Sequence, residues 1–156
     1  MASDVVSVER VIAAPPEAIF DLVGDAAKHP LIDGSGTVKQ VKEGAPERLS
    51  LGSTFGMDMK LGMKYSMVSE VIEFEPNRRI AWQSKPKGMG GRLAGGRIWR
   101  YELEPVDGGT LVRESWDVSQ DKQRAVLRVG PTPKRTKTAM EKTLERIAQL
   151  VESPSA

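Results

Sequence analysis

The residues of this chain best placed by type and spacing to do chemistry are one carboxylate and two phenols. In "TLVRESWDV", strand alternation puts Val112, Glu114, Trp116 and Val118 on one side and Leu111, Arg113, Ser115 and Asp117 on the other. Glu114 therefore shares an apolar face with a tryptophan. A carboxyl there either has its pKa raised by desolvation or is ion-paired, with Arg97 as the candidate partner. Tyr65 in "MKYSM" and Tyr101 in "WRYELE" fall in the same inward phase. Glu114 with Tyr65 or Tyr101 is the candidate catalytic set, an acid or base for an aldol cyclisation or a dehydration. A structural ion pair at Glu114 is the plainer alternative.

Three other features invite a chemical reading. "FGMDMKLGMKYSM", residues 55–67, holds four of the seven methionines: Met57, Met59, Met63 and Met67. Thioethers favour copper(I). Against that stand a single histidine, the absence of cysteine and the absence of an export signal, so neither a metal nor a cofactor is expected. The histidine, His29, lies in "KHPLIDG", read as a loop, and the sequence shows no partner that would make it a general base. "KPKGMGGRLAGGR" carries five glycines but lacks the Lys-Ser/Thr ending of a phosphate loop and does not open a helix. Its 88–96 portion reads either as a lid with Met89 and Leu93 as apolar tips, or as a long hairpin connection.

These residues need elements to position them. "VVSVERVIAA" alternates as a half-buried strand, and Pro15 and Pro16 then open a helix whose apolar face is Ile19, Leu22 and Val23, stopped by Gly24. Pro30 and the Asp33-Gly34-Ser35-Gly36 cluster allow only a short helical turn and a loop. Six period-two segments follow: "TVKQVKE", "STFGMDMK", "GMKYSMVSEVIEFE", "RRIAWQS", "GRIWRYELEP" and "TLVRESWDVS". Turn residues separate them at Gly44-Ala45-Pro46, Leu61-Gly62, Glu75-Pro76-Asn77 and Asp107-Gly108-Gly109, which predicts an antiparallel meander. A long helix closes the chain, with Met140, Leu144, Ile147 and Val151 on one face and Arg135, Lys142 and Arg146 opposite. The order predicts an α+β layout in a single domain over 1–152, with 153–156 as a loose tail.

Alternation sorts the strands into faces. Trp82, Trp99 and Trp116 point inward from three successive strands, together with Tyr101, Leu103 and Ile80. Phe55, Met57 and Met59 share one face of a hairpin, and Met63, Tyr65 and Met67 share the face after its turn. So bulky an inner face can interdigitate into a packed core or line a space between sheet and helix. The inward tyrosines, Glu114 and the indole N–H groups favour a partly wet pocket, because a dry core would leave them unsatisfied.

The pattern resembles the START-like helix-grip superfamily, often called SRPBCC, near the bacterial polyketide cyclase/dehydrase-type proteins. The resemblance runs from "VERVIAAPPEAIFDLV" through "HPLIDGSGTV", "EFEPNRRIAWQS" and "WRYELEPVDGGTLVRES" to the closing helix. It implies a seven-stranded curved antiparallel sheet wrapped around the long C-terminal helix, with two short helices between strands 1 and 2 and an apolar cavity inside. No catalytic motif is shared across that superfamily, so no catalytic residue carries over. The expected cavity wall is Phe55, Met57, Met59, Met63, Tyr65, Met67, Trp82, Trp99, Tyr101, Val112, Glu114, Trp116, Met140 and Leu144. Two functions fit it: a binding or carrier protein for a lipid, polyketide or aromatic metabolite, and a cyclase or dehydratase using the same space.

Composition narrows the partners. A net charge of +2 over 156 residues does not suggest a polyanion partner, and no nucleic-acid-binding fold is apparent. Lys122 to Arg146 nevertheless holds eight Lys or Arg against two Glu, so weak contact of the basic C-terminal helix with an anionic membrane is a further expectation. "MASDVVSVERVIAAPP" has neither a basic n-region nor a long apolar run, which predicts a cytoplasmic protein, monomeric or dimeric.

Overall fold

The computed structural model describes residues 4–34, 38–41, 48–61, 63–86 and 95–152, with backbone alone for 38–41, 57–61, 63–66 and 86. Strand β1 (Val5–Ile12) is followed by helix α1 (Pro16–Val23), a 3-10 turn (Ala26–Lys28) and the single-turn helix α2 (His29–Ile32). Strands β2 (Val38–Val41), β3 (Thr54–Leu61), β4 (Met63–Glu75), β5 (Arg79–Pro86), β6 (Arg97–Val106) and β7 (Gly109–Asp117) come next. Helix α3 (Arg124–Leu127) leads into α4 (Thr132–Glu152).

All the strand pairs are antiparallel, in the order β1-β7-β6-β5-β4-β3-β2. Most are consecutive neighbours; the exception is β1, which pairs with β7, so the chain's first strand borders its last. Two turns use the backbone freedom that the sequence supplies. Asn77 adopts φ 61° between β4 and β5, and Gly109 adopts φ 146° with its Cα pressed against β1, where a Cβ would lie 2.0 Å from the Ile12 carbonyl oxygen. The overall layout, a curved antiparallel sheet with a C-terminal helix, is the α+β architecture expected from the sequence.

The core lies between the sheet and the helices. On α4, Met140, Leu144 and Ile147 are buried as the spacing predicts, joined by Thr143 and Ala148. On α1 the buried residues are Ile19, Phe20 and Val23; Leu22, expected on that face, is only half-buried, and Phe20 takes the central place by meeting Phe74 edge-on at 5.7 Å. Helix α4 rests mainly on β1 and β7, at one side of the sheet, and also touches α1 and α2.

Two departures from simple alternation matter. In β4, Val71 and Phe74 both join the core although three positions apart, because the register with β5 shifts between Val71 and Glu73. That bulge turns Glu73 to the opposite face, where Arg100 donates to both of its carboxylate oxygens at 3.0 and 2.7 Å. In β6, Ile98 is buried although its phase is outward. The segment after β7 returns to that corner: Arg97 Nε donates to Asp121, Gln83 Nε2 to Gln120, and the Lys122 N–H to the Gly95 carbonyl. The short helix α3 in this returning segment was not anticipated from the sequence.

Candidate functional site

Tyr101 and Glu114 face each other across the β6–β7 register, and Val8 is the partner of Glu114 on the other side. Both are buried, Glu114 at 4% exposure. Burial pushes the Glu114 carboxyl up to about 8, against a smaller opposing effect from its hydrogen bond with Tyr101; the nearby charge of Asp33 adds to the rise. Burial likewise drives the Tyr101 hydroxyl well above its ordinary range, reinforced by Glu114. At neutral pH the pair is an uncharged acid beside an uncharged phenol. The expected Glu114–Arg97 ion pair does not form: Arg97 sits at the start of β6, opposite Ser84, and pairs with Asp121 at 3.2 Å.

His29 completes an aromatic wall. It is buried in α2 rather than placed in a loop, because the 3-10 turn capped by Asp25 carries the chain directly into that helix. Its ring stacks on Trp82 with centroids 4.7 Å apart and meets Phe55 edge-on at 5.5 Å. Trp82 is in turn 5.7 Å from Tyr101. Nε2–H of His29 donates to the Val23 carbonyl at 2.9 Å, and desolvation holds the imidazole below its ordinary pKa, so it is neutral. With Nε2 committed to the backbone and its ring packed on Trp82 and Phe55, His29 is part of the wall.

Of the expected wall residues, Phe55, Trp82, Tyr101, Val112, Glu114, Trp116, Met140 and Leu144 all belong to the buried interior. Met67 and Trp99 are half-buried, at the edge of the same face. For Met57, Met59, Met63 and Tyr65 the register pairs Met57 with Met67, Met59 with Tyr65 and Leu61 with Met63; their side chains lie outside the described residues. The Gly-rich connection is outside them for 87–94, as is the tail from 153 onward.

The loop after α2 is fixed against α4. The Gly34 N–H donates to Thr143 Oγ1 at 2.8 Å, and Arg146 donates to the Asp33 carbonyl. A Cβ on Gly34 would lie 2.3 Å from the Ala139 carbonyl oxygen, so only glycine allows this approach. The seam holds Asp33, whose charge reaches Glu114 and Tyr101, next to the interior. The sequence reading missed both His29 as wall and Asp33 as neighbour. The glycine after Asp33 was the available signal, since a residue without a Cβ permits a close backbone approach.

Most of the buried polar side chains described have a partner in the protein. The described buried polar or charged residues are His29, Ser69, Ser84, Thr110, Glu114, Ser115, Asp121 and Thr143, with no lysine or arginine among them. Ser69 pairs with Ser84, Ser115 with Ser7, and Thr110 donates to the Ala14 carbonyl. Glu114 Oε1 is buried with no hydrogen-bond partner. Among the described residues no cluster of His, Asp or Glu could hold a metal ion, and no helix is long and apolar enough to cross a membrane. On the opposite face of the sheet, charges neutralise one another through Arg79–Glu102, Arg113–Glu9 and Arg100–Glu73.

Fold and interior together define a class: α+β proteins in which a curved antiparallel sheet and a C-terminal helix enclose a largely apolar, aromatic interior. Comparison with known sequences places the chain within that class. It belongs to the polyketide cyclase/dehydrase and lipid transport family, an SRPBCC-type family whose profile matches residues 3–152. An uncharacterized protein of Mycobacterium tuberculosis, Rv0088, is 37% identical over 109 residues, covering 68% of this chain and 44% of that protein. The chain thus matches less than half the length of this curated relative. Among solved structures, protein CV1439 from Chromobacterium violaceum has a similar fold, with a TM-score of 0.74 at 21% identity over 96% of this chain and 98% of that one. DynU16, from the dynemicin biosynthetic locus, has a TM-score of 0.67 at 16% identity over 97% of this chain and 48% of that one.

Proposed function

We propose that the chain is a single helix-grip domain over 1–152, with its seven strands and the short helices after β1 closing around the interior, and that it binds a hydrophobic small molecule there. The observation that carries this reading is the orphaned Oε1 of Glu114, buried on an otherwise apolar and aromatic wall. A buried acceptor or donor left unpaired costs about 1–3 kcal/mol, and a guest oxygen that meets it recovers that cost. Family membership supports the same reading, since lipid transport is part of the family's description.

Affinity in this reading comes from burial of apolar surface, worth roughly 25 cal/mol per Å². Tyr101, Glu114 and the indoles of Trp82, Trp99 and Trp116 orient the guest's polar end. The test is native mass spectrometry of gently purified protein beside its denatured mass, with lipophile titrations followed by tryptophan fluorescence. A retained small molecule, or saturable quenching, supports binding; apo protein that responds to no lipophile counts against it.

A second reading is an enzyme of the cyclase or dehydratase type, favoured by one feature: Glu114 stays protonated to about pH 8 beside Tyr101, which suits a general acid. Under it, Glu114→Gln abolishes turnover of a polyketide substrate while binding persists; unchanged turnover removes Glu114 from the chemistry. Weak contact with anionic membranes rests on the exposed Lys134, Arg135, Lys137, Lys142 and Arg146 of α4. Equal failure to float with anionic and neutral vesicles rejects it.

A further inference from the structure

The binding reading leaves open which end group the interior accepts, and the inference below rests on that reading. Among the described residues Glu114 Oε1 is buried without a hydrogen-bond partner, while His29, Thr110, Thr143 and the Ser69–Ser84 pair are all engaged, and Arg128 Nε, also outside a hydrogen bond, is ion-paired with Asp4. What can meet it is constrained from every side. Tyr101 on β6 is a neutral hydroxyl, and β1 contributes Val8 opposite Glu114. From α2 comes His29, already donating Nε2–H to the backbone, and beyond it Asp33 brings a negative charge. From α4 the buried residues are Met140, Thr143, Leu144, Ile147 and Ala148. Among the described residues no lysine or arginine is buried, so none of them offers an anionic head group a counter-charge, and the Asp33 carboxylate acts against one. His29, Trp82, Phe55 and Tyr101 pack together as one cluster of rings, so the wall near the pair is aromatic and suits a planar guest better than a flexible chain.

We propose that the Glu114–Tyr101 pair makes this interior selective for a planar guest bearing an uncharged oxygen, a ketone or a phenol, and that it excludes carboxylates and other anionic amphiphiles. The carboxyl hydroxyl donates to a ketone oxygen, and the carboxyl carbonyl accepts from a phenol; in either case Tyr101 holds the carboxyl in place. Neither group transfers a proton to the guest.

The experiment compares three probes of one shape, 2-acetylnaphthalene, 2-naphthoate and 2-ethylnaphthalene, at pH 7 by calorimetry and tryptophan quenching. The full chain is used as wild type, Glu114→Gln and Glu114→Leu, each checked for folding by circular dichroism. Wild type is expected to bind the ketone about tenfold tighter than the hydrocarbon, the worth of one hydrogen bond. The carboxylate should bind at least about a hundredfold more weakly than the ketone, because it must enter unpaired or take up a proton some three units above its ordinary pKa. Glu114→Gln keeps the ketone preference and Glu114→Leu loses it. Equal binding of ketone and carboxylate, or a preference that survives in Glu114→Leu, overturns the selectivity. If all three probes bind alike, selectivity fails while ligand binding stands; if none binds, both fail.

Discussion

Replacing Glu114 by glutamine should change how stability depends on pH more than it changes stability at any one pH. In the unfolded chain the carboxyl titrates near its ordinary value of 4.5, and in the folded chain near 8. Below pH 4.5 both states are protonated and the group is neutral to folding. As pH rises through the interval, the unfolded chain releases its proton and the folded one does not, so stability falls by about 1.4 kcal/mol per pH unit until the folded carboxyl ionises near pH 8. Glutamine has the same shape and no titration. The stability of Glu114→Gln minus that of wild type should therefore rise by about 2.5 kcal/mol between pH 5 and pH 7. For a chain of this length that corresponds to roughly 5–10 °C in Tm. Urea unfolding of both proteins across that range gives the difference directly. Any fixed cost of the amide's extra N–H cancels, because only the slope is compared. Parallel curves would show that Glu114 titrates normally in the folded protein, refuting both its desolvation and the neutral-acid site built on it.

The one histidine allows a second measurement without assignment: its ring resonances should titrate below 6.5 and report a proton on Nε2, and titration at or above 6.5 would place the ring in solvent. Because the folded imidazole resists protonation, its contribution to stability should be lost as pH falls through 6.5, a slope that His29→Gln removes. Gly34→Ala forces a Cβ against the Ala139 carbonyl and should cost about 1–3 kcal/mol in denaturant unfolding; a neutral result would mean that the loop does not pack on α4. Arg100→Met removes both hydrogen bonds to Glu73 and should cost about 1–3 kcal/mol at pH 7. Since Arg100 holds the Glu73 carboxyl below 4.5, that loss should shrink as pH falls through the folded value; a loss independent of pH would assign it to packing instead.

Much of this molecule is written in local periodicity. The spacing of Met140, Leu144 and Ile147 determined the buried face of α4. Strict alternation determined that Trp82, Tyr101, Val112, Glu114 and Trp116 point to one interior, because a period of two leaves each side chain only two choices. The turn at Asn77 and the hairpin at Gly108-Gly109 were fixed by residues that tolerate positive φ. Only the tertiary structure decided what lies beyond one strand or helix. The bulge between Val71 and Glu73 has no local sequence mark, since an extra residue is absorbed where the partner strand allows it. Ile98 is buried on the outward side because a distant segment returns over it, and Arg97 pairs with Asp121 rather than Glu114 for the same reason. The stacking of His29 on Trp82 joins α2, which precedes β2, to β5, and no spacing rule reaches across that separation. Sequence therefore determined that an acid faces inward; the fold alone decided that it is buried, near a distant aspartate and with no lysine or arginine among the described buried residues, which keeps it neutral against the opposing hydrogen bond from Tyr101.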